Sequence, residues 1–185
     1  MPIHQISNFI TAFNGGTRPN RFTVSVQPQT GGGQSATISS GLSSLTHAMA
    51  ATLPESTVGV MPIPFRGRIY RFPGDRDYNL WSLTLLDDTN GIYTAWHAWS
   101  NLFNHHSLNQ SNPRAQKDDM GTVTVNLLDH NSDVALRTFT LYYAWPVQVG
   151  AYDLNMGRGN EPGSFTCQLA YAYMEMTSNG NDGVA

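Results

Sequence analysis

Across 185 residues there is one cysteine, Cys167, and one lysine, Lys117. A lone cysteine excludes any intramolecular disulfide framework, so the chain is expected to fold in a reducing cytosol. Charged residues are equally sparse: Asp, Glu, Lys and Arg make up 12% of the chain, against roughly 25% in an ordinary soluble domain. Much of the surface is therefore neutral, or covered by something. With a formal charge of −3 and a single lysine, a general affinity for DNA, which rests on neutralised phosphates, is disfavoured. Nowhere do eighteen apolar residues run together, and the opening MPIHQISNFITAF has no basic stretch ahead of an apolar one. Neither a membrane-spanning helix nor a classical export signal is expected.

What is present reads as strands and one strong helix. The length suits one domain, 1–185, with a sizeable core. In the N-terminal segment, 1–17, Ile3, Ile6, Ile10 and Phe13 recur at helical spacing. Phe22, Val24 and Val26 alternate with polar residues, as in a half-buried strand. The Gly/Ser-rich stretch 27–44 then breaks all periodicity, and its glycine run, Gly31-Gly32-Gly33, is followed by Gln34-Ser35 where a phosphate-binding loop needs Lys-Ser/Thr. A surface loop explains it better.

Trp81, Leu83 and Leu85 alternate again. Ile92, Trp96, Trp99 and Phe103 then follow one stripe of a helix. We assign Trp81, Trp96, Trp99 and Phe103 to packing between sheet and helix. Val123, Val125 and Leu127, the turn DHNSD, and Phe139, Leu141 and Tyr143 predict a hairpin. Phe165, Cys167, Leu169, Tyr171 and Tyr173 predict one long strand. Strands without βαβ alternation point to a mainly β fold, an antiparallel two-sheet sandwich or partly closed barrel with a packed α-helix.

Candidate chemistry is thin. His97, His105 and His106 cluster, but no Cys pair or HExxH spacing accompanies them. Asp129, Asn131 and Asp133 imitate a calcium loop until Val134 takes the glycine position and Thr140 the glutamate position. Cys167 sits on the apolar face of its strand, where a small buried hydrophobe is the ordinary role. The paired Asp87-Asp88 and Asp118-Asp119 stand at element ends, as turn residues or helix N-terminal carboxylates do. No catalytic residue, metal or cofactor is expected, and no enzyme.

The informative stretch is PIPFRGRIYRFPGDRDYNLWSLTLLDD, residues 62–88, which packs Arg66, Arg68, Arg71 and Arg76 among aromatics. Three uses are open: single-stranded nucleic acid, pairing within the domain, or a contact with another protein. Asp75 and Asp77 interrupt the arginines, and Pro54, Pro62, Pro64 and Pro73 stiffen the chain. Mixed charge on a stiff extended arm favours the protein contact.

Set in order, RPNRFTV at 18–24, LPESTVGVMPIPFRGR at 53–68, GDRDYNLWSLTLLDD at 74–88, AWHAWSNL, WPVQVGAYDLN at 145–155 and SFTCQLAYAYME resemble the tail tube proteins of contractile-tailed (T4-like, myovirus) bacteriophages. The likeness spans roughly residues 18–176, and departs at 27–44 and in the polar tail, 177–185. It implies a β-sandwich with one helix whose strands join between subunits into a channel-lining barrel. It also implies homohexameric rings stacked into a virion tail tube, assembled in the bacterial cytoplasm. Its implied partners are the tail sheath protein, the tape-measure protein, the baseplate tube-initiator and the tail terminator. Viral double-stranded DNA would pass through the lumen without specific binding. The alternative is the tube of a phage-like bacteriocin or a type VI secretion apparatus. On either reading, residues 53–77 are expected to form an intersubunit arm, with Glu55, Arg66, Arg68, Arg71, Asp75, Arg76 and Asp77 in the contact.

Overall fold

The computed structural model describes residues 6–13, 16–28, 47–88, 91–110, 119–157 and 159–178. Its alternating segments pair as antiparallel strands. These are β1 (Phe22–Pro28), β2 (Ala48–Ala51), β3 (Thr57–Phe65), β4 (Arg68–Asp77), β5 (Trp81–Leu86), β6 (Gly121–Leu128), β7 (Ala135–Val149), β8 (Ser164–Ala170) and β9 (Tyr173–Ser178). Among the described residues there are also two helices, α1 (Ile6–Phe13) ahead of β1 and α2 (Ile92–Phe103) between β5 and β6.

The long strand β7 organises the body. Its first half pairs with β6 on one side and β9 on the other, and its second half pairs with β8. One sheet therefore runs β1-β6-β7-β9, and the other continues from β7 through β8 and β5 to β2. A strand shared by two sheets must bend where it crosses between them. Tyr143 marks that bend, with φ at 55°, and a register shift lies between Gly121 and Val123 on β6 opposite it.

The bend corrects two expectations. Tyr143 does not continue the buried alternation of Phe139 and Leu141; it turns outward, and Ala144 takes the buried position. The predicted single strand from Phe165 to Tyr173 is two strands, broken at Tyr171-Ala172, where the Ala172 N–H donates to the Tyr142 carbonyl at 3.0 Å. Tyr173 accordingly faces solvent.

Between the sheets lies one core, in which Val26, Leu83, Leu85, Val123, Leu141, Cys167 and Leu169 are fully buried. The helix α2 adds Ile92, Ala95, Trp96 and Trp99 to it, and Phe103 packs against its rim. Trp81, Trp96 and Trp99 are the largest fully buried side chains. Side-chain oxygens of Asp88 and Asp87 accept from the Ile92 and Tyr93 N–H groups, so the first of the paired aspartates serve the helix N-terminus.

Of the stretch 27–44, Gln27 and Pro28 belong to the end of β1, and the remainder lies outside the described residues. Likewise Thr177 and Ser178 of the polar tail end β9, and 179–185 lie outside.

Candidate functional site: an exposed hairpin arm

The stretch 53–77 is not one extended arm, as its prolines suggested. It folds back on itself as the β3–β4 hairpin, a two-stranded sheet separate from the body. The turn is Arg66-Gly67, with φ at 47° and 80°. Positive φ at both central residues is the geometry of the tight hairpin turn whose twist matches its strands. Glycine meets that demand freely, while arginine adopts it under strain.

Register shows where the hairpin comes from. Ala51 pairs with Leu83 in the body and Thr57 with Asp77 in the arm, so the two strands advance in step through the intervening loops. The arm is the β2–β5 hairpin carried on beyond the body. Nine residues of β3 project it by about 30 Å.

A hairpin root must be fixed if its tip is to be aimed. Trp81 Nε1 donates to the Thr52 carbonyl at 2.6 Å and the Tyr171 hydroxyl to the Glu55 carbonyl at 3.2 Å. Asn79 Nδ2 donates to the Glu55 carboxylate, and the Tyr78 and Tyr171 rings lie 5.4 Å apart. Arg76 donates to Ser56 Oγ at 2.9 Å, and Asp77 accepts from the Tyr78 N–H. Glu55, Arg76 and Asp77 thus lie at the root, engaged within the chain. Arg66 caps the tip, its guanidinium 5.3 Å from the centre of the Phe65 ring. Arg68, Arg71 and Asp75 stand along β4, all exposed.

Composition-based reasoning looked at the arginines and passed over the arm's apolar side chains. Met61, Ile63 and Phe65 face Phe72, Tyr70 and Arg68 across one side of the hairpin. All are exposed, as are Val60 and Ile69 on the other side. The signal that could have found them is the alternation of MPIPF and RIYRF on either side of Arg66-Gly67. An isolated two-stranded hairpin is marginally stable at best in water, and apolar area this contiguous is rarely left bare.

The other candidates hold less. Burial pushes the Cys167 thiol up to about 12, so it stays protonated and is no nucleophile at neutral pH. His97 packs edge-on against Tyr93, and its ring centre lies 6.3 Å from that of His106. Among the described residues no group of three or more His, Cys, Asp or Glu is placed to hold a metal ion. Asp129 and Asp133 shape the β6–β7 turn, Asp129 accepting from the Ser132 hydroxyl at 3.0 Å and Asp133 pairing with Arg21 at 2.7 Å.

No family model matches the chain. The tail tube protein of Serratia phage KSP90 is 32% identical over 126 residues, which cover 67% of this chain and 70% of that protein. Among solved structures, a chain in the cryo-EM structure of the anti-feeding prophage baseplate superposes with a TM-score of 0.61 at 18% identity, over 85% of this chain and 93% of that one. Another, in the sheath/tube terminator of the extracellular contractile injection system PVC in its extended state, gives 0.62 at 15% identity, over 87% and 96%. At those identities the structures speak for the fold, and the phage relative speaks for descent. The chain belongs to the tail tube proteins of bacteriophages.

Proposed function

We propose that this chain builds the inner tube of a contractile phage tail from stacked hexameric rings, the conduit through which the viral genome leaves. The carrying observation is the arm: an aimed hairpin with Ile63, Phe65, Tyr70 and Phe72 exposed near a strained tip. A second copy of the same chain is the partner that supplies the missing cover. Arg68 and Arg71, exposed beside those apolar groups, would find carboxylates across the contact. The role is structural, without catalysis.

In such a tail the sheath protein would surround the tube, the tape-measure protein would set its length, and a baseplate initiator and a terminator would bound it. Assembly would take place in the host cytoplasm and the product would reside in the virion. The phage tail is favoured over a related injection system because the curated relative is a phage protein.

Electron microscopy of the purified chain tests this, with hollow six-fold rings or rods expected. The double variant Arg68→Glu/Arg71→Glu, at two exposed positions of β4, should remain folded and no longer polymerise. Normal tubes from it would remove the arm from the assembly, and a persistent monomer of the unaltered chain at high concentration would remove the tube.

A further inference from the structure

The arm and an acid-lined cavity lie at opposite ends of one strand ladder. The arm leaves the body where Ala51 pairs with Leu83. The cavity, of about 390 Å³, opens at the other end, around Leu86 of β5 and its partner Ser164 on β8. An arm of this direction points away from the cavity of its own subunit, so only another copy can bring the two together.

Several contacts hold the cavity in shape. The Tyr152 ring, on its wall, meets Tyr93 of α2 edge-on at 5.8 Å, and Tyr93 in turn packs on Phe165 of the core. The Asp87 N–H donates to the Gly163 carbonyl at 2.9 Å and the Gly150 N–H to the Thr166 carbonyl at 2.7 Å, which pins the chain on either side. Glycine is needed at 163, since a Cβ there would collide with the Tyr152 hydroxyl.

Its chemistry has two parts. Met49, Leu86 and Tyr152 supply apolar lining, Asp153 and Glu161 supply exposed carboxylates, and no cation lines it among the described residues. The distal arm is complementary. Residues 57–74 contain three arginines, Arg66, Arg68 and Arg71, and no Asp or Glu. At the tip the Arg66 guanidinium lies 5.3 Å from the centre of the exposed Phe65 ring, so one compact group presents an apolar face and a planar cation. A guanidinium is the cation best suited to carboxylates in a partly dry site.

Local structure alone does not explain Arg66. At φ 47° asparagine would carry less strain than arginine, and glycine none. A residue that breaks the local rule of its turn points to a role beyond the turn.

Resting on the tube reading above, we infer that this cavity is the socket for the arm of a second copy. Phe65 enters against Met49, Leu86 and Tyr152, and Arg66 and Arg68 meet Asp153 and Glu161. Each copy offers one arm and one socket, a head-to-tail contact between two different patches.

Charge exchange on the full chain tests it. Asp153→Arg/Glu161→Arg should keep the circular dichroism spectrum and raise the concentration needed for assembly by about 30-fold or more, the loss expected when charge pairs at a contact are broken. Arg66→Glu/Arg68→Glu should do the same, and the four changes together should restore assembly. Asp153→Asn/Glu161→Gln keeps the shape of the cavity and should give a smaller loss in the same direction, which decides the matter if the arginine pair disturbs the body. Arg66→Asn should tighten the turn yet weaken assembly, a split that a purely structural arginine would not give. Normal assembly after both reversal and neutralisation at the cavity, or no recovery in the fourfold variant, would overturn the socket while leaving the tube standing. Failure of the unaltered chain to assemble would overturn the tube itself, and the socket with it.

Discussion

The body and the arm use the same local code and meet opposite fates. In β5 and β6 every second residue is buried, whereas all ten residues of β4 are exposed although Ile69, Tyr70 and Phe72 are as apolar as their counterparts in the body. The register is continuous from one region into the other, so strand formation alone does not separate them. What separates them is the second layer. The body strands have an opposing sheet and α2 to bury against, and the arm has neither. On the reading proposed above a second copy covers it, and subunit stability and tube formation would then be separable properties.

Breaking the body gives the largest effect on the subunit. Trp96 is fully buried, and Trp96→Ala removes its packing for about 3–5 kcal/mol, read as a lower urea midpoint of the unassembled chain. Replacing residues 58–76 with Asn-Gly tests the other side. Thr57 and Asp77 are direct partners, so a two-residue turn closes that gap in register. Subunit stability should change by less than about 1 kcal/mol, as for surface changes away from a core, while tubes disappear. A truncation that unfolds the body would show that the arm belongs to the fold and not to the assembly.

A smaller, local effect is expected at the tip. Gly67 has φ at 80° and open space around it, so Gly67→Val is opposed by backbone strain of about 1–2 kcal/mol and not by a clash. Faster amide exchange should appear in β3 and β4 and stop at Trp81, whose indole holds the root. Arg66→Asn, which suits the same turn better, should slow exchange in the same amides.

Much of the body was legible because burial of one face leaves a period in the sequence. Val24, Leu83, Val125 and Trp99 all fell where alternation or the helical stripe put them. The crossing of β7 between sheets was not legible. It depends on the pairing of Tyr142 with Tyr173, thirty-one positions apart in the chain, and local period carries nothing about partners at that distance. For the arm, prolines and mixed charge pointed to a protein contact, but drew attention to Arg76 and Glu55, which fasten the root. The apolar pairs Met61–Phe72 and Ile63–Tyr70 became visible only once the hairpin register was known.

The smallest effect concerns pH, and it sets the two regions apart by charge chemistry. Burial, and secondarily the neighbouring His106, hold the His97 imidazole below its ordinary value. The folded subunit therefore favours neutral His97, and the unfolded chain binds its proton first. Stability from this group is fully present above about pH 6.5, declines as pH falls through that value, and levels off below the depressed folded value. Melting curves between about pH 7.5 and pH 5 should show a drop that shrinks in His97→Gln, the difference cancelling the carboxylates common to both. The arm, 53–77, contains no histidine, so amide exchange in β3 and β4, corrected for the intrinsic effect of pH, should hold steady over the same window. An arm that loosened in parallel with the body would mean that the two regions unfold as one unit, against the separation their burial implies.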